Sequence, residues 1–207
     1  MRICIEGNMG VGKSSLCGYV NGTLERLVSL EPNFGDLIDR FGNGLHVQVS
    51  FLLHRLKEWR ENRWSETFYD RGVWSGSVFS RVNLECGFLS QEEYNLHAEL
   101  RGVLLGEAPL PDLIVYLDAP VDVLIPRIRL RADFDSEVSE EYLGRIANAY
   151  SLWLQQMREK GVPVLTIDAS RELSPSQQLE FFDASLSRIL MMTQEIKNAT
   201  RTWSYNE

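Results

Sequence analysis

The chain has few cysteines, a deficit of basic residues and no long apolar run, and each shortage excludes a class of protein. Its three cysteines, Cys4, Cys17 and Cys86, lack the spacing of a metal site or a redox pair. Lysine and arginine total 21 against 29 for aspartate and glutamate, and a net charge of −8 argues against binding a nucleic-acid polymer or an anionic membrane. No apolar stretch reaches the roughly 18 residues that a membrane span needs. The three histidines form no ligand pattern, so we expect no metal site built from protein ligands alone.

The most informative segment that is present is a glycine-rich run near the beginning of the chain. It consists of Gly7, Asn8, Met9, Gly10, Val11, Gly12, Lys13 and Ser14, followed by Ser15, and matches the pattern G-x-x-x-x-G-K-S. In such a loop the backbone N–H groups and the following helix N-terminus bind phosphate oxygens. Lys13 would reach the β- and γ-phosphates, and the Ser14 hydroxyl would contact Mg²⁺. The run therefore predicts a nucleoside triphosphate site that also holds Mg²⁺.

Alternating strand and helix patterns predict an α/β fold, with a five-stranded parallel sheet flanked by helices. The predicted strands are residues 2–6, 27–30, 65–69, 112–117 and 163–168. The predicted helices are residues 13–25, 44–62, 74–84, 90–105, 120–131, 139–160 and 174–195. Ligands of such folds bind beyond the carboxyl ends of the strands, which directs attention to the residues that follow each strand.

Length and composition predict a single domain over residues 1–207, with a lid at about 127–140 and a tail at about 196–207. The phosphate loop begins at residue 7, which leaves no room for a signal peptide. We therefore expect a soluble cytoplasmic protein with reduced cysteines.

Acidic and basic residues follow two of the predicted strands. Glu31 comes after the second strand, where its carboxylate could accept a proton from an acceptor hydroxyl; the alternative is a solvated glutamate in a turn. Asp70 and Arg71 end the third strand. The acid could hold Mg²⁺ through water and the arginine could contact phosphate or nucleoside, whereas the alternative is an ion pair at the end of a strand.

Two further polar groups lie on predicted helices. Gln48 and Arg55 fall on one flank of the apolar stripe of helix 44–62, where the glutamine amide could bind a nucleobase edge. Most residues that flank such a stripe are only boundary residues. Residues 126–131 contain three arginines, and on a helix Arg127 and Arg131 share a face, from which they could close over phosphate as a lid. The alternative is a solvated charged face, since charge runs are usually solvated and the segment that follows is acidic.

In this order, these segments resemble the P-loop deoxynucleoside kinase family, which includes thymidine and deoxycytidine kinases. The resemblance rests on the glycine-rich run, Glu31-Pro32, Gln48 with residues 53–56, Asp70-Arg71, residues 114–117, residues 127–131, Glu141-Tyr142-Leu143 with Trp153-Leu154, and residues 162–168. It covers about four-fifths of the chain. It implies a P-loop kinase fold with an arginine-rich lid, ATP as donor, Mg²⁺ and a homodimer.

The resemblance also implies roles for individual residues. Glu31 is similar to the base that takes the proton of the nucleoside 5′-hydroxyl, Arg71 to the residue that bridges the reaction centre, and Glu141 to the partner of the sugar 3′-hydroxyl. The other residues expected at the nucleoside are Phe34, Phe41, Gln48, Phe51, Arg55 and Gly76. Those expected at ATP, besides the loop and the arginines 127 and 131, are Ser170 and Arg171.

The chain departs from the family pattern where it would select its substrate. Family members that prefer cytosine or purines pair an arginine at the position of Arg55 with an acid at the position of Gly76. Because the acid is absent here and the glycine leaves space for the thymine methyl group, we expect thymidine and deoxyuridine to be favoured and deoxycytidine to be tolerated. Asp36 stands where the family usually has tryptophan, and Asp133 stands at the last arginine position of the lid.

Two other functions compete with this one. Thymidylate kinases share the phosphate loop and an Asp-Arg pair, but they usually carry an arginine where this chain has Leu30. A catalytically silent nucleotide-binding regulatory protein is the alternative from another class. The presence of Lys13, Ser14, Glu31 and Asp70 argues against it.

Overall fold

The computed structural model describes residues 1–24, 27–30, 38, 42, 44–106, 108–130 and 138–203; for Leu27 and residues 200–203 only the backbone is described. Its five strands are β1 (Arg2–Gly7), β2 (Leu27–Ser29), β3 (Thr67–Asp70), β4 (Leu113–Asp118) and β5 (Val164–Asp168). All are parallel and lie in the order β2-β3-β1-β4-β5. The predicted five-stranded parallel sheet is confirmed, with each strand displaced by at most two residues from its expected bounds.

Seven described helices flank the sheet. They are α1 (Lys13–Leu24), α2 (Leu45–Asn62), α3 (Gly76–Glu85), α4 (Gln91–Leu105), α5 (Val121–Arg129), α6 (Glu140–Glu159) and α7 (Pro175–Trp203). A 3₁₀ turn at Val73–Ser75 leads into α3, so the helix predicted from residue 74 starts slightly later. Among the described residues, no helix combines the length and apolar character that crossing a bilayer requires.

The last helix is longer than its sequence pattern predicted. The apolar repeat fades after residue 195, but no glycine or proline follows to end a helix, and α7 continues to Trp203. Lys197 holds this part of the helix to the start of β3 through an ion pair with Glu66 at 2.7 Å. The predicted helix end at residue 195 is therefore too early, and residues 204–207 lie outside the described residues.

The core lies on both faces of the two central strands. Residues 113–117 of β4 and residues 3–6 of β1 are buried without alternation, which is typical of parallel strands covered by helices on both sides. At their amino ends, Arg2 and Asp112 form a clamp in which the carboxylate of Asp112 accepts three hydrogen bonds from Arg2, at 2.6–3.0 Å. The clamp fixes β1 beside β4, and the phosphate loop leaves the opposite end of β1.

Candidate active site

The phosphate loop connects β1 to α1 and is held closed by its own side chains. Lys13, the first residue of α1, donates from Nζ to the carbonyl of Asn8 at 2.9 Å and is buried. The Asn8 amide donates to the carbonyl of Leu143 at 2.9 Å, and its side-chain oxygen accepts the Met9 N–H at 2.8 Å. The loop is therefore shaped by contacts within the protein, including one to the first turns of α6.

Two glycines show why the loop needs this residue type. Gly7 has φ of +144°, and a Cβ atom there would lie 2.5 Å from the carbonyl oxygen of Leu117 in β4. Gly12 has φ of +99°, but a Cβ atom there would meet no heavy atom of the described residues within 4 Å. Gly7 is thus required by packing, whereas at Gly12 glycine is favoured by the backbone conformation and not by a steric contact with the described residues.

Ser14 and Asp70 meet where β3 ends beside the loop. The Ser14 hydroxyl donates to Asp70 Oδ2 at 2.6 Å. The carboxylate is 2% exposed, and its Oδ1 atom has no hydrogen-bond partner among the described residues. A buried carboxylate oxygen without a partner, next to a hydroxyl, fits the oxygen ligands that Mg²⁺ takes directly or through water. The donor set is therefore suited to the predicted ion.

Arg71 adopts a backbone conformation that is unusual for its residue type. Its φ is +61°, which costs free energy and is found mainly where function requires it. The buried guanidinium donates from Nη2 to the carbonyl of Gly7 at 3.2 Å and from Nε to the hydroxyl of Tyr150 at 3.3 Å, and it stacks 4.5 Å from the ring centre of Phe79. These contacts hold one positive charge at the start of the phosphate loop.

Behind Arg71 lies a buried acid that the sequence analysis did not identify. Glu6 is fully buried and accepts hydrogen bonds from the Gly72 N–H at 2.9 Å and the Tyr150 hydroxyl at 3.0 Å. Burial raises the pKa of Glu6, and the Gly72 N–H and the charges of Arg71 and Arg55 oppose that rise. The signal in the sequence was a single acid at the end of an otherwise apolar strand. Tyr150 lies in α6, 144 positions after Glu6 in the chain, and gave no such signal.

Gln48, Phe51 and Arg55 lie together on α2. Gln48 is 7% exposed, and its side-chain amide makes no hydrogen bond with any residue that the structure describes. Arg55 is 8% exposed and stacks 5.0 Å from the ring centre of Phe51. A nearly buried amide that keeps its donor and acceptor available is what binding a base edge requires.

Several other predicted residues lie at the border of this region. Glu141 is exposed and pairs with Arg145 on the same helix at 2.7 Å, so its carboxylate is already engaged one turn away. Arg127 donates to the carbonyls of Ala169 and Arg171 at 2.8 and 2.7 Å. It thereby fixes the turn after β5, in which Ser170 donates its N–H to Asp168 at 2.9 Å. The expected contact of Arg127 with phosphate stays a prediction.

The described residues bring together most of the donor half of the predicted site. Lys13, Ser14, Asp70 and Arg71 lie at the carboxyl ends of β1 and β3, as the sheet rule predicts. Ser15 is exposed on α1, and Gly76 is buried at the start of α3. Four predicted residues, Glu31, Phe34, Phe41 and Arg131, lie outside the described residues, as does half of the predicted lid, residues 131–137.

Together, the parallel sheet, the phosphate loop and the Ser14–Asp70 pair define a class of P-loop proteins that bind nucleoside triphosphates. Comparison with known proteins narrows this class. The family model "Deoxynucleoside kinase" matches residues 3–190. The chain belongs to the deoxynucleoside kinase family. This match supports deoxynucleoside kinase activity with ATP as phosphate donor.

The individual relatives described next share less than a third of their aligned residues with this chain. A deoxyadenosine kinase from Dictyostelium discoideum is 29% identical over 206 residues, which are 93% of this chain and 82% of the relative. A deoxyguanosine kinase from Bacillus subtilis is 24% identical over 178 residues, 80% of this chain and 85% of the relative. The structure of deoxyadenosine kinase from M. mycoides with bound dATP has a TM-score of 0.74 and 23% identity, and the match covers 90% of this chain and 99% of that one. This last likeness confirms the fold.

Proposed function

We propose that the protein transfers the γ-phosphoryl group of ATP to the 5′-hydroxyl of a deoxynucleoside. The observation that carries this proposal is the position of Arg71, whose buried guanidinium lies on the carbonyl of Gly7 at the mouth of the phosphate loop. A fixed cation there stabilises the charge that develops on the transferred group, which is the main catalytic need in phosphoryl transfer.

Residues of the predicted site divide the remaining work between them, with Glu31 assigned from the sequence alone. The loop N–H groups and Lys13 bind the β- and γ-phosphates. Ser14 and Asp70 would hold Mg²⁺, which supplies charge neutralisation across the phosphates when it is bound. A bond forms between the 5′-oxygen and the γ-phosphorus, the bond to the β,γ-bridging oxygen breaks, and the hydroxyl proton passes to Glu31.

A Glu31→Gln variant tests the assignment of the base. It should bind ATP as the unmodified protein does but lose turnover by about 10²–10⁴-fold, because the amide cannot accept the hydroxyl proton. Labelled ATP, a nucleoside panel and calorimetric ATP binding measure the two effects separately. Glu92→Gln, an exposed acid in the first turn of α4, is the matched control and should leave both unchanged. Full turnover by Glu31→Gln contradicts the assignment.

Within this reaction class we propose thymidine and deoxyuridine as preferred acceptors and deoxycytidine as a tolerated one. The support is Gly76, which replaces the acid that would hold Arg55 over the base. A second candidate is a purine deoxynucleoside, which the names of the two relatives favour. Relative kcat/KM across thymidine, deoxyuridine, deoxycytidine, deoxyadenosine and deoxyguanosine decides between them. Transfer to dTMP but to none of these nucleosides would instead favour a thymidylate kinase.

We also propose that the active form is a homodimer that pairs through α2 and α4. These helices pack side by side and expose Leu53, Leu96 and Val103, whose exposed fractions are 50%, 56% and 76%. An apolar face of this kind is covered in most stable proteins.

The cytoplasmic location stays a prediction.

A further inference from the structure

The space beside the presumed base site contains an arginine that the proposed function does not use. Gly76 is the first residue of α3 and has an ordinary helical φ of −56°, so its backbone does not require glycine. Among the described residues, a Cβ atom there would meet one neighbour within 4 Å, Arg101, whose Cδ atom lies 3.8 Å away. Arg101 therefore borders the volume that a larger side chain at position 76 would occupy.

Arg101 is partly buried where α4 packs against both α2 and α3. It makes no hydrogen bond or ion pair with any described residue, and burial lowers its pKa. One turn earlier on the same helix, His97 is 1% exposed and its imidazole forms a hydrogen bond with the backbone of Gln48, which places this face of α4 against the part of α2 that carries the candidate base reader. Burial and the charge of Arg101 lower the pKa of His97, whereas its hydrogen bond to the Gln48 backbone opposes that shift.

The described groups around this volume are rich in hydrogen-bond donors. Arg55 and Arg101 each carry a guanidinium that only donates, and Gln48 offers one donor group and one acceptor. The buried carboxylate of Glu6 interacts electrostatically with Arg55, but no described carboxylate forms an ion pair with Arg101. An oxo group on a base can accept from such donors, whereas an exocyclic amino group needs an acceptor and would be left facing a cation.

We propose that Arg101 is a specificity-determining residue that favours bases with an oxo group, at position 6 of a purine or position 4 of a pyrimidine, over their amino counterparts. The inference rests on the proposed function, because it assumes that Gln48 and Arg55 contact the base. The expected preference does not depend on whether the base is a purine or a pyrimidine. Thymidine, deoxyuridine, deoxyguanosine and deoxyinosine should be favoured over deoxyadenosine and deoxycytidine.

Two substrate pairs isolate the oxo group from ring size and sugar. Deoxyinosine and deoxyadenosine differ at position 6, and deoxyuridine and deoxycytidine differ at position 4. Calorimetric binding to the full chain should give a Kd for the oxo member of each pair that is about 10- to 100-fold lower, since the amino member leaves buried donors unpaired. Equal affinities within twofold, or a preference for the amino members, overturn the inference.

Variants test whether Arg101 is the cause. Arg101→Met keeps the apolar stem and should reduce both oxo/amino ratios by about tenfold. Gly76→Asp, which the available space accommodates, should raise the affinity for deoxyadenosine and deoxycytidine by supplying the missing acceptor. Arg60→Met, on the exposed end of α2, is the control and should leave the ratios unchanged. If Arg101→Met weakens all four nucleosides equally, its role is structural and the inference is wrong.

Turnover separates this inference from the proposed function. Nucleosides that bind with the expected ratios but are not phosphorylated contradict the proposed function and leave the base preference standing. Nucleosides that are phosphorylated but bind with oxo/amino ratios near one support the proposed function and contradict the base preference.

Discussion

At the scale of single residues, the loop glycines separate packing from ligand binding. Ala at Gly7 would overlap the Leu117 carbonyl and also carry a positive φ, so Gly7→Ala should cost more than the roughly 1–3 kcal/mol expected for backbone strain alone. Gly12→Ala carries only the strain, but its methyl group enters space within the phosphate loop that no described residue occupies. Thermal unfolding should show the larger loss for Gly7→Ala, and the KM for ATP of folded Gly12→Ala should rise at least tenfold. Equal stability losses would show that the contact with β4 is unimportant.

Single residues also show which positions a sequence pattern can locate and which contacts it cannot. The places of Lys13, Ser14, Asp70 and Arg71 at the loop and at the end of β3 were predictable because a spacing motif and a strand end are local in the chain; their roles stay predictions. The support of Arg71 by Tyr150 was not, since the two residues are 79 positions apart and only the fold brings them together. Arg127 was correctly placed on a helix, but the pattern could not show that its donors bind the turn at residues 169–171.

At the scale of elements, β1 and β4 depend on the clamp at their amino ends. Burial acts to raise the pKa of Asp112, but the hydrogen bonds from Arg2 outweigh it and the pKa lies below its ordinary value. The carboxylate therefore stabilises the fold above its unfolded pKa of about 3.9, and that contribution is lost as the pH falls through the lower folded pKa.

Asp112→Asn should therefore reduce the free energy of unfolding at pH 7 by about 1–3 kcal/mol, the usual effect of losing hydrogen bonds to a charged group. The difference from the unmodified protein should shrink as the pH approaches 2. Urea unfolding at several pH values measures it, and Asp122→Asn, in the exposed first turn of α5, serves as the control. A difference that does not depend on pH would mean that the charge of Asp112 contributes nothing.

The elements themselves were predictable to within about two residues at most ends, because the period of the apolar residues differs between strands and helices. The end of α7 was missed because the sequence beyond residue 195 offers neither an apolar repeat nor a helix-ending residue. Its stability there comes partly from Lys197 and Glu66, which are 131 positions apart.

At the scale of the whole molecule, the exposed face of α2 and α4 predicts the oligomeric state. Light scattering after size-exclusion chromatography should give twice the mass of one chain. Leu96→Glu and Val103→Glu should give the mass of one chain, because each buries a charge in the proposed interface. Leu179→Glu replaces an equally exposed leucine on α7 and should leave the dimer intact. A single-chain mass for the unmodified protein contradicts the proposal.

The strand order also bears on how the protein is made. β1 is synthesised first, yet it lies between β3, which begins at Thr67, and β4, which begins at Leu113. At synthesis rates of about 5–20 residues per second, the strand that carries the phosphate loop waits on the order of ten seconds for its second neighbour. Until then Gly7 lacks the Leu117 backbone against which it packs, so a nascent chain cannot form its nucleotide site before β4 has left the ribosome.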